Sequence, residues 1–243
     1  MRIPRFYFPD ALALGARVPL PKDAAHHAAR VLRMSEGDAV SLFNGDNHLY
    51  RARILRIEKQ DIVVLVESRM ALSCESALSI LLVQGISSGE RMDYTLQKAV
   101  ELGVAAIQPI QAERSVVKLT GERREKRMQH WQNVVTAACE QCGRNKIPEV
   151  KPVSGLMDWL GGQGSEGQCI LLAPAAEMRL RELAQPTGAM TLAVGPEGGF
   201  SDTEQTALLH YGFTPVRLGP RVLRTETAAL AALASMQALW GDY

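Results

Sequence analysis

Residues 218–230 read LGPRVLRTETAAL, and about two dozen positions earlier residues 194–200 read VGPEGGF. Each contains an apolar, strand-like run that stops at Gly-Pro, and a third run, LLAP at 171–174, stops at proline alone. Proline fixes φ and withholds an amide, while glycine lets the backbone turn tightly and approach a ligand closely. In an open parallel sheet, ligands bind in the crevice beyond the carboxyl ends of the strands. Three such endings on successive strands predict a site built of loops, able to encircle a flat heteroaromatic group with main-chain amides and carbonyls.

Outward from these loops the pattern is alternation. From about residue 77 it runs LSILLVQ, helix ERMDYTLQKAVEL, strand AAIQPI, a long helix over ERREKRMQHWQNVVTAACEQC, and a short helix near 154–160. Strands QCILLA and MTLAVG follow, then helix SDTEQTALLHYG, strand FTPVRL and a last helix to 240. This βαβα order predicts an α/β domain with a mostly parallel sheet covered by helices. Residues 1–73 differ: short β-like runs at 3–8, 39–44, 49–58 and 61–67, one helical stretch DAAHHAARVLR at 23–33, and the hairpin signal NGDN at 44–47. They predict a small β-barrel, with a domain boundary near Ala71–Ser76, giving domains 1–73 and 74–243.

Composition narrows the class. With 243 residues, 47% of them hydrophobic, the chain has ample material for a core, and its formal net charge is only +1. Basic charge is local: residues 1–73 hold 11 Lys+Arg against 8 Asp+Glu, and residues 111–151 hold 9 against 5. The opening MRIPRFYFPD is interrupted by prolines and charges and does not resemble a signal peptide or spanning segment, so a cytoplasmic address is expected, with no membrane partner. Cys139 and Cys142 form a CxxC, but no second CxxC or nearby His pair completes a metal site, so reduced cysteines and no metal are expected. GQGSEG at 162–167 matches GxGxxG, yet a helix precedes it and a strand follows, the reverse of a dinucleotide fold. It reads as a connector, which argues against an oxidoreductase.

Four stretches carry a family resemblance: GERMDYTLQKAVELGV at 89–104, CEQCGRN at 139–145, VGPEGGFSDTE at 194–204 and LGPRVLRTETA at 218–228. They resemble the signature segments of the RsmE family, SPOUT-class methyltransferases that modify N3 of one uridine, conventionally numbered 1498, in 16S ribosomal RNA of the small ribosomal subunit. MRIPRFY and HAARVLRM at 27–34 are similar to that family's PUA-like RNA-binding domain. The resemblance implies a deep trefoil knot in the C-terminal domain, which the usual rule of unknotted connections would reject. It also implies S-adenosylmethionine as cofactor, held by Leu172, Gly195, Pro196, Gly198, Gly199, Leu218, Gly219, Val222 and Leu223.

Methyl transfer to a uracil nitrogen needs donor and acceptor held in line, and a way to remove or offset the N3 proton. Glu197, Arg221, Arg224 and Glu226 are the candidates, as a base or as a cation stabilising the uracil anion. If both were helical, Arg224 and Glu226 would lie about 200° apart and could not share a face. Glu226 also suits a helix N-terminus through the helix dipole alone. For RNA, Arg30 and Arg33 are expected on one helix face, with Arg2 and Arg5 on the first strand. Lys98 and Glu101, three apart, read as a surface ion pair. The last helix, TAALAALASMQAL, is apolar nearly all round, which predicts burial on two sides; the resemblance makes the second cover another copy in a homodimer. A charge forced in at Ala232 is then expected to disrupt assembly.

Overall fold

The computed structural model describes residues 3–58, 61–162 and 167–243. Two compact units are present: one ends at Glu75 and also takes in Cys139–Ile147, and the other holds Ser76–Ala138 and Pro148–Tyr243. The CEQCGRN segment therefore packs with the N-terminal unit, although it lies in sequence within the second domain.

The first unit contains β1 (Arg5–Tyr7), β2 (Arg17–Pro19), α1 (Lys22–His26), β3 (Ala39–Phe43), β4 (His48–Glu58) and β5 (Asp61–Ala71). Its sheet runs β1-β3-β4-β5-β2, antiparallel except for β1 on β3. Alternation in β4 and β5 buries Tyr50, Ala52, Ile54, Ile62, Val64 and Val66 around one core with Phe6 and Leu42. NGDN makes the expected hairpin: the Asn44 side-chain carbonyl accepts from the Asp46 amide, and the Asp46 carboxylate from the His48 amide. β2 was not foreseen, being only three residues long and ending in a proline.

The helix expected over 23–33 differs. α1 stops at His26, a π-helical turn occupies His27–Val31, and Arg33 is left-handed at φ 54°. Arg30 and Arg33 are both exposed but share no helix face, because Arg33 lies beyond the helix. Arg5 also departs from its expected role. Its guanidinium donates to the Arg144 carbonyl at 2.9 Å and to Asn145 Oδ1 at 3.0 Å, and it lies 4.8 Å over the Phe43 ring. Those bonds commit it to holding β1 against the CEQCGRN segment. Arg2 lies outside the described residues.

The second unit contains β6 (Ile80–Gly85), α2 (Glu90–Glu101), β7 (Ala106–Gln111), most of α3 (Gly121–Cys142), β8 (Glu149–Val150) and β9 (Ser154–Gly155). After them come α4 (Leu156–Gly162), β10 (Gln168–Leu172), β11 (Met190–Val194), α5 (Asp202–His210), β12 (Thr214–Val216) and α6 (Thr225–Trp240). The sheet is parallel throughout, in the order β12-β10-β11-β6-β7-β8, with β9 also on β7. β11 is buried at all five positions, as a strand covered on both faces must be. α5 starts at a capping box, Ser201 accepting from the Glu204 amide and the Glu204 carboxylate from the Ser201 amide, as SDTE spells out. α6 packs along α2, with Ala229, Ala232, Leu233 and Met236 fully buried. A charge at Ala232 would thus break the protomer itself, so this residue cannot report on assembly. GQGSEG lies largely outside the described residues.

Candidate active site

Because β12, β10 and β11 are neighbours in the sheet, the three loops that leave their carboxyl ends stand side by side. They wall a cavity of about 510 Å3. Every residue nominated here as a cofactor contact borders it: Leu172, Gly195, Pro196, Gly198, Gly199, Leu218, Gly219, Val222 and Leu223. Glu197, Arg221, Arg224 and Glu226 border it too. Its size suits a small ligand, and leucines and valines give it an apolar wall under a charged rim.

Two glycines show how the loops are built. A Cβ at Gly195 would sit 2.8 Å from the Phe200 amide nitrogen, so glycine lets the 195–200 loop fold on itself. A Cβ at Gly219 would meet no atom within 4 Å. The loop needs the first glycine for its own shape, whereas the second leaves free space beside a cavity wall.

The two carboxylates differ in their surroundings. Glu197 Oε1 accepts from the Ser88 amide and hydroxyl, both at 2.8 Å, and from Arg91 at 3.0 Å. Burial pushes its pKa up, but the hydrogen bonds from Ser88 and Arg91 outweigh it, and the net direction is down. Glu197 is thereby a weakened base and a clamp between the loop and the start of α2. Glu226 Oε2 is sealed from solvent without a hydrogen-bond partner among the described residues. Arg224 is the N-cap of α6 with extended backbone, φ −62° and ψ 153°, so the helical spacing does not apply to it, and it and Glu226 both border the cavity. Among the described residues neither the Arg221 nor the Arg224 side chain makes a hydrogen bond or ion pair, and both residues are exposed.

Several supporting residues were not foreseen. Thr225 donates its hydroxyl to the Gly195 carbonyl at 2.6 Å and accepts from buried Gln84 at 2.9 Å, tying α6 to the β11 loop and β6. Glu204, beyond its capping role, accepts from the Glu113 amide at 2.9 Å. Arg114 reaches the Gly198 and Phe200 carbonyls, each at 3.4 Å. Only Glu204 had a sequence signal, the Ser-x-x-Glu spacing; the others are joined by contacts between positions 30 to 141 residues apart. Lys98 and Glu101 form a 2.8 Å ion pair away from the cavity.

The geometry agrees with what the chain is similar to. Residues 74–237 match a family described as an RNA methyltransferase domain, and residues 20–67 one described as an RNA methyltransferase PUA domain. The protein is thus of the RNA methyltransferase class, an α/β domain joined to a PUA-like domain. A methyltransferase from Legionella pneumophila, solved with S-adenosylmethionine bound, is 43% identical and superposes with a TM-score of 0.96 over 100% of both chains. Ribosomal RNA small subunit methyltransferase E from Neisseria gonorrhoeae, solved with S-adenosylmethionine bound, is 42% identical with a TM-score of 0.93, again over 100% of both. The enzyme of that name from Buchnera aphidicola (subspecies Schizaphis graminum) is 37% identical over 241 residues, 99% of this chain and 98% of the relative. The chain belongs to the ribosomal RNA small subunit methyltransferase E family.

Proposed function

We propose that this protein transfers a methyl group from S-adenosylmethionine to N3 of one uridine in 16S ribosomal RNA of the small subunit, acting as a cytoplasmic homodimer without a metal. The observation that carries the reading is the cavity at the ends of β10, β11 and β12, which gathers free space at Gly219 and, among the described residues, two arginine side chains without partners and a carboxylate with an orphan oxygen. The cofactor fits this set: the cavity is of small-ligand size, Gly219 admits close approach, and the sealed Glu226 Oε2 calls for a donor or a positive group. When bound, S-adenosylmethionine supplies a methyl group on a positively charged sulfur.

The residues then divide the work. The β10, β11 and β12 loops, through Leu172, Gly195–Gly199 and Leu218–Leu223, hold the cofactor at near-attack distance from the uracil. As the N3–C bond forms, the methyl group's bonding pair stays with sulfur and the N3 proton must leave. Glu226 accepts that proton; it is the better base of the pair, since Glu197 is occupied by three donors. Arg224 offers a planar pair of donors to the uracil oxygens, stabilising the charge that grows there. Exposed Arg30 and Arg33 meet the RNA backbone.

Assembly follows from α6. One side is buried in the protomer, while Ala231, Ala234, Ser235, Ala238 and Leu239 remain at least partly open on the other. A second copy covers this flank, and the return of the chain from edge strand β12 to α6 is the threaded part of a trefoil knot. The decisive experiment is transfer of labelled methyl groups to unmodified small-subunit RNA or small subunits, with nucleoside digestion. The expected product is 3-methyluridine at one site in a reaction run by a dimer on light scattering; cofactor binding without any transfer to either substrate would overturn the reading.

A further inference from the structure

The mechanism leaves unused a strongly basic stretch of the methyltransferase unit. Residues 111–130 hold six Lys+Arg, namely Arg114, Lys118, Arg123, Arg124, Lys126 and Arg127, against three Asp+Glu. All six are exposed or half-exposed. On α3, Arg123, Lys126, Arg127 and His130 fall within about 100° of arc, and together with Glu122 they line a shallow groove. Glu125 points to the opposite side of the helix by the same periodicity. Glu122 offsets Lys126 through a 3.4 Å pair exposed by more than 80% on average, a weak bond, and among the described residues Arg123 and Arg127 have no acidic partner. Core packing has no use for this charge, and like charges held together on one helix face cost stability unless a polyanion neutralises them.

Two contacts join the stripe to the cavity. His130 Nε2 lies 2.7 Å from Asp93 Oδ2 on α2, and two residues before Asp93 stands Arg91, which borders the cavity and holds Glu197. At the other end of the segment, Arg114 touches the Gly198 and Phe200 carbonyls of the cavity wall. Arg114 at the cavity wall and the α3 stripe, tied to α2 through the His130–Asp93 pair, thus form a basic track beside the cavity. We propose that this track is a second RNA-binding surface, which holds phosphates flanking the target nucleotide and so anchors the substrate on the methyltransferase unit itself; the proposal rests on the RNA-methylating reading above. Arginines meet phosphates with planar paired donors, and such contacts fix register without reading sequence.

The test uses the full-length protein with Arg123→Gln and Arg127→Gln combined, and a second variant with lysine at both positions. Binding to in vitro transcribed small-subunit RNA and to assembled small subunits is measured across a salt series, together with S-adenosylmethionine affinity by calorimetry. The Gln pair is expected to bind RNA about tenfold or more weakly near 0.1 M salt, with the log–log salt slope reduced by roughly 1.4 to 1.8 for two lost phosphate contacts. Cofactor affinity and melting temperature should stay at wild-type values, and the Lys pair should keep the wild-type slope. A wild-type slope in the Gln pair would overturn the proposal. So would loss of binding to assembled subunits alone, which would assign the track to a ribosomal protein. A wild type that binds cofactor but neither RNA nor subunits would instead bring down the functional reading beneath it.

Discussion

Two arginine-bearing motifs set the two units apart. In CEQCGRN, Arg144 is buried and donates from Nε and Nη2 to Glu75, at 2.9 and 2.6 Å, while the same carboxylate also accepts from the Asn145 and Lys146 amides. In LGPRVLRTE, Arg221 and Arg224 stand exposed beside a cavity, and neighbouring Val222 is 80% exposed. Both motifs look equally distinctive as strings, but only the second leaves its charged groups unspent. An arginine whose donors are used inside the fold is a fastener; one held on a rigid loop without partners is available to a ligand.

The largest effect should come from breaking the fastener. Arg144→Ala leaves the half-buried Glu75 carboxylate beside an emptied site, and a loss of about 3 kcal/mol is expected, read as a lowered midpoint in urea. An unchanged midpoint would erase the contrast with Arg224.

Arg224→Ala should do the reverse. Turnover is expected to fall on the order of a hundredfold, as when a donor to developing charge is removed, with cofactor affinity and melting temperature unchanged. Equal loss of turnover and cofactor affinity would move Arg224 into the cofactor pocket.

Gly219→Val sharpens the same comparison within one loop. The added side chain enters open space at a backbone conformation that other residues adopt, so stability should hold while S-adenosylmethionine binds at least about tenfold more weakly, roughly 1.4 kcal/mol by calorimetry. Full affinity would show that the ligand does not approach this wall.

The smallest effect concerns Glu197, which belongs to the cavity but is fastened like Arg144. Its pKa is depressed in the fold, so its contribution is present above the unfolded carboxylate value near 4.3 and fades as pH falls through the lower folded value. Glu197→Gln should cost roughly 1 kcal/mol at pH 7 with the side chain 23% exposed, and the gap to wild type should narrow below about pH 4 in thermal melts. A gap that does not change with pH would mean that packing, and not charge, holds this loop.

These contrasts also mark what a one-dimensional reading can reach. The strand-end loops were legible because Gly-Pro after an apolar run has few uses, and the Ser201 cap because its partner sits three residues on. The 3.0 Å pairing of Arg91 with Glu197 was not, since 106 residues separate them and neither side chain carries a local signal. Arg5 misled for a related reason: a basic residue on a short strand looks solvent-facing until Asn145, 140 positions away, is seen to receive it. The π-helical turn before Arg33 was hidden because helical composition does not state where the hydrogen-bond spacing changes.

The hydroxyl of Thr225, bonded to the Gly195 carbonyl and to Gln84, has a consequence for the order of biosynthesis. Translation delivers the cavity wall in instalments: the β10 loop at Leu172, then the loop at Gly195, and last the segment from Leu218 to Ala228 that Thr225 docks. At about 5–20 residues per second, the first and last walls are made roughly 3 to 11 s apart. The nascent chain thus carries much of its sheet before it has a site, and it acquires the capacity to bind cofactor only when this late segment is in place.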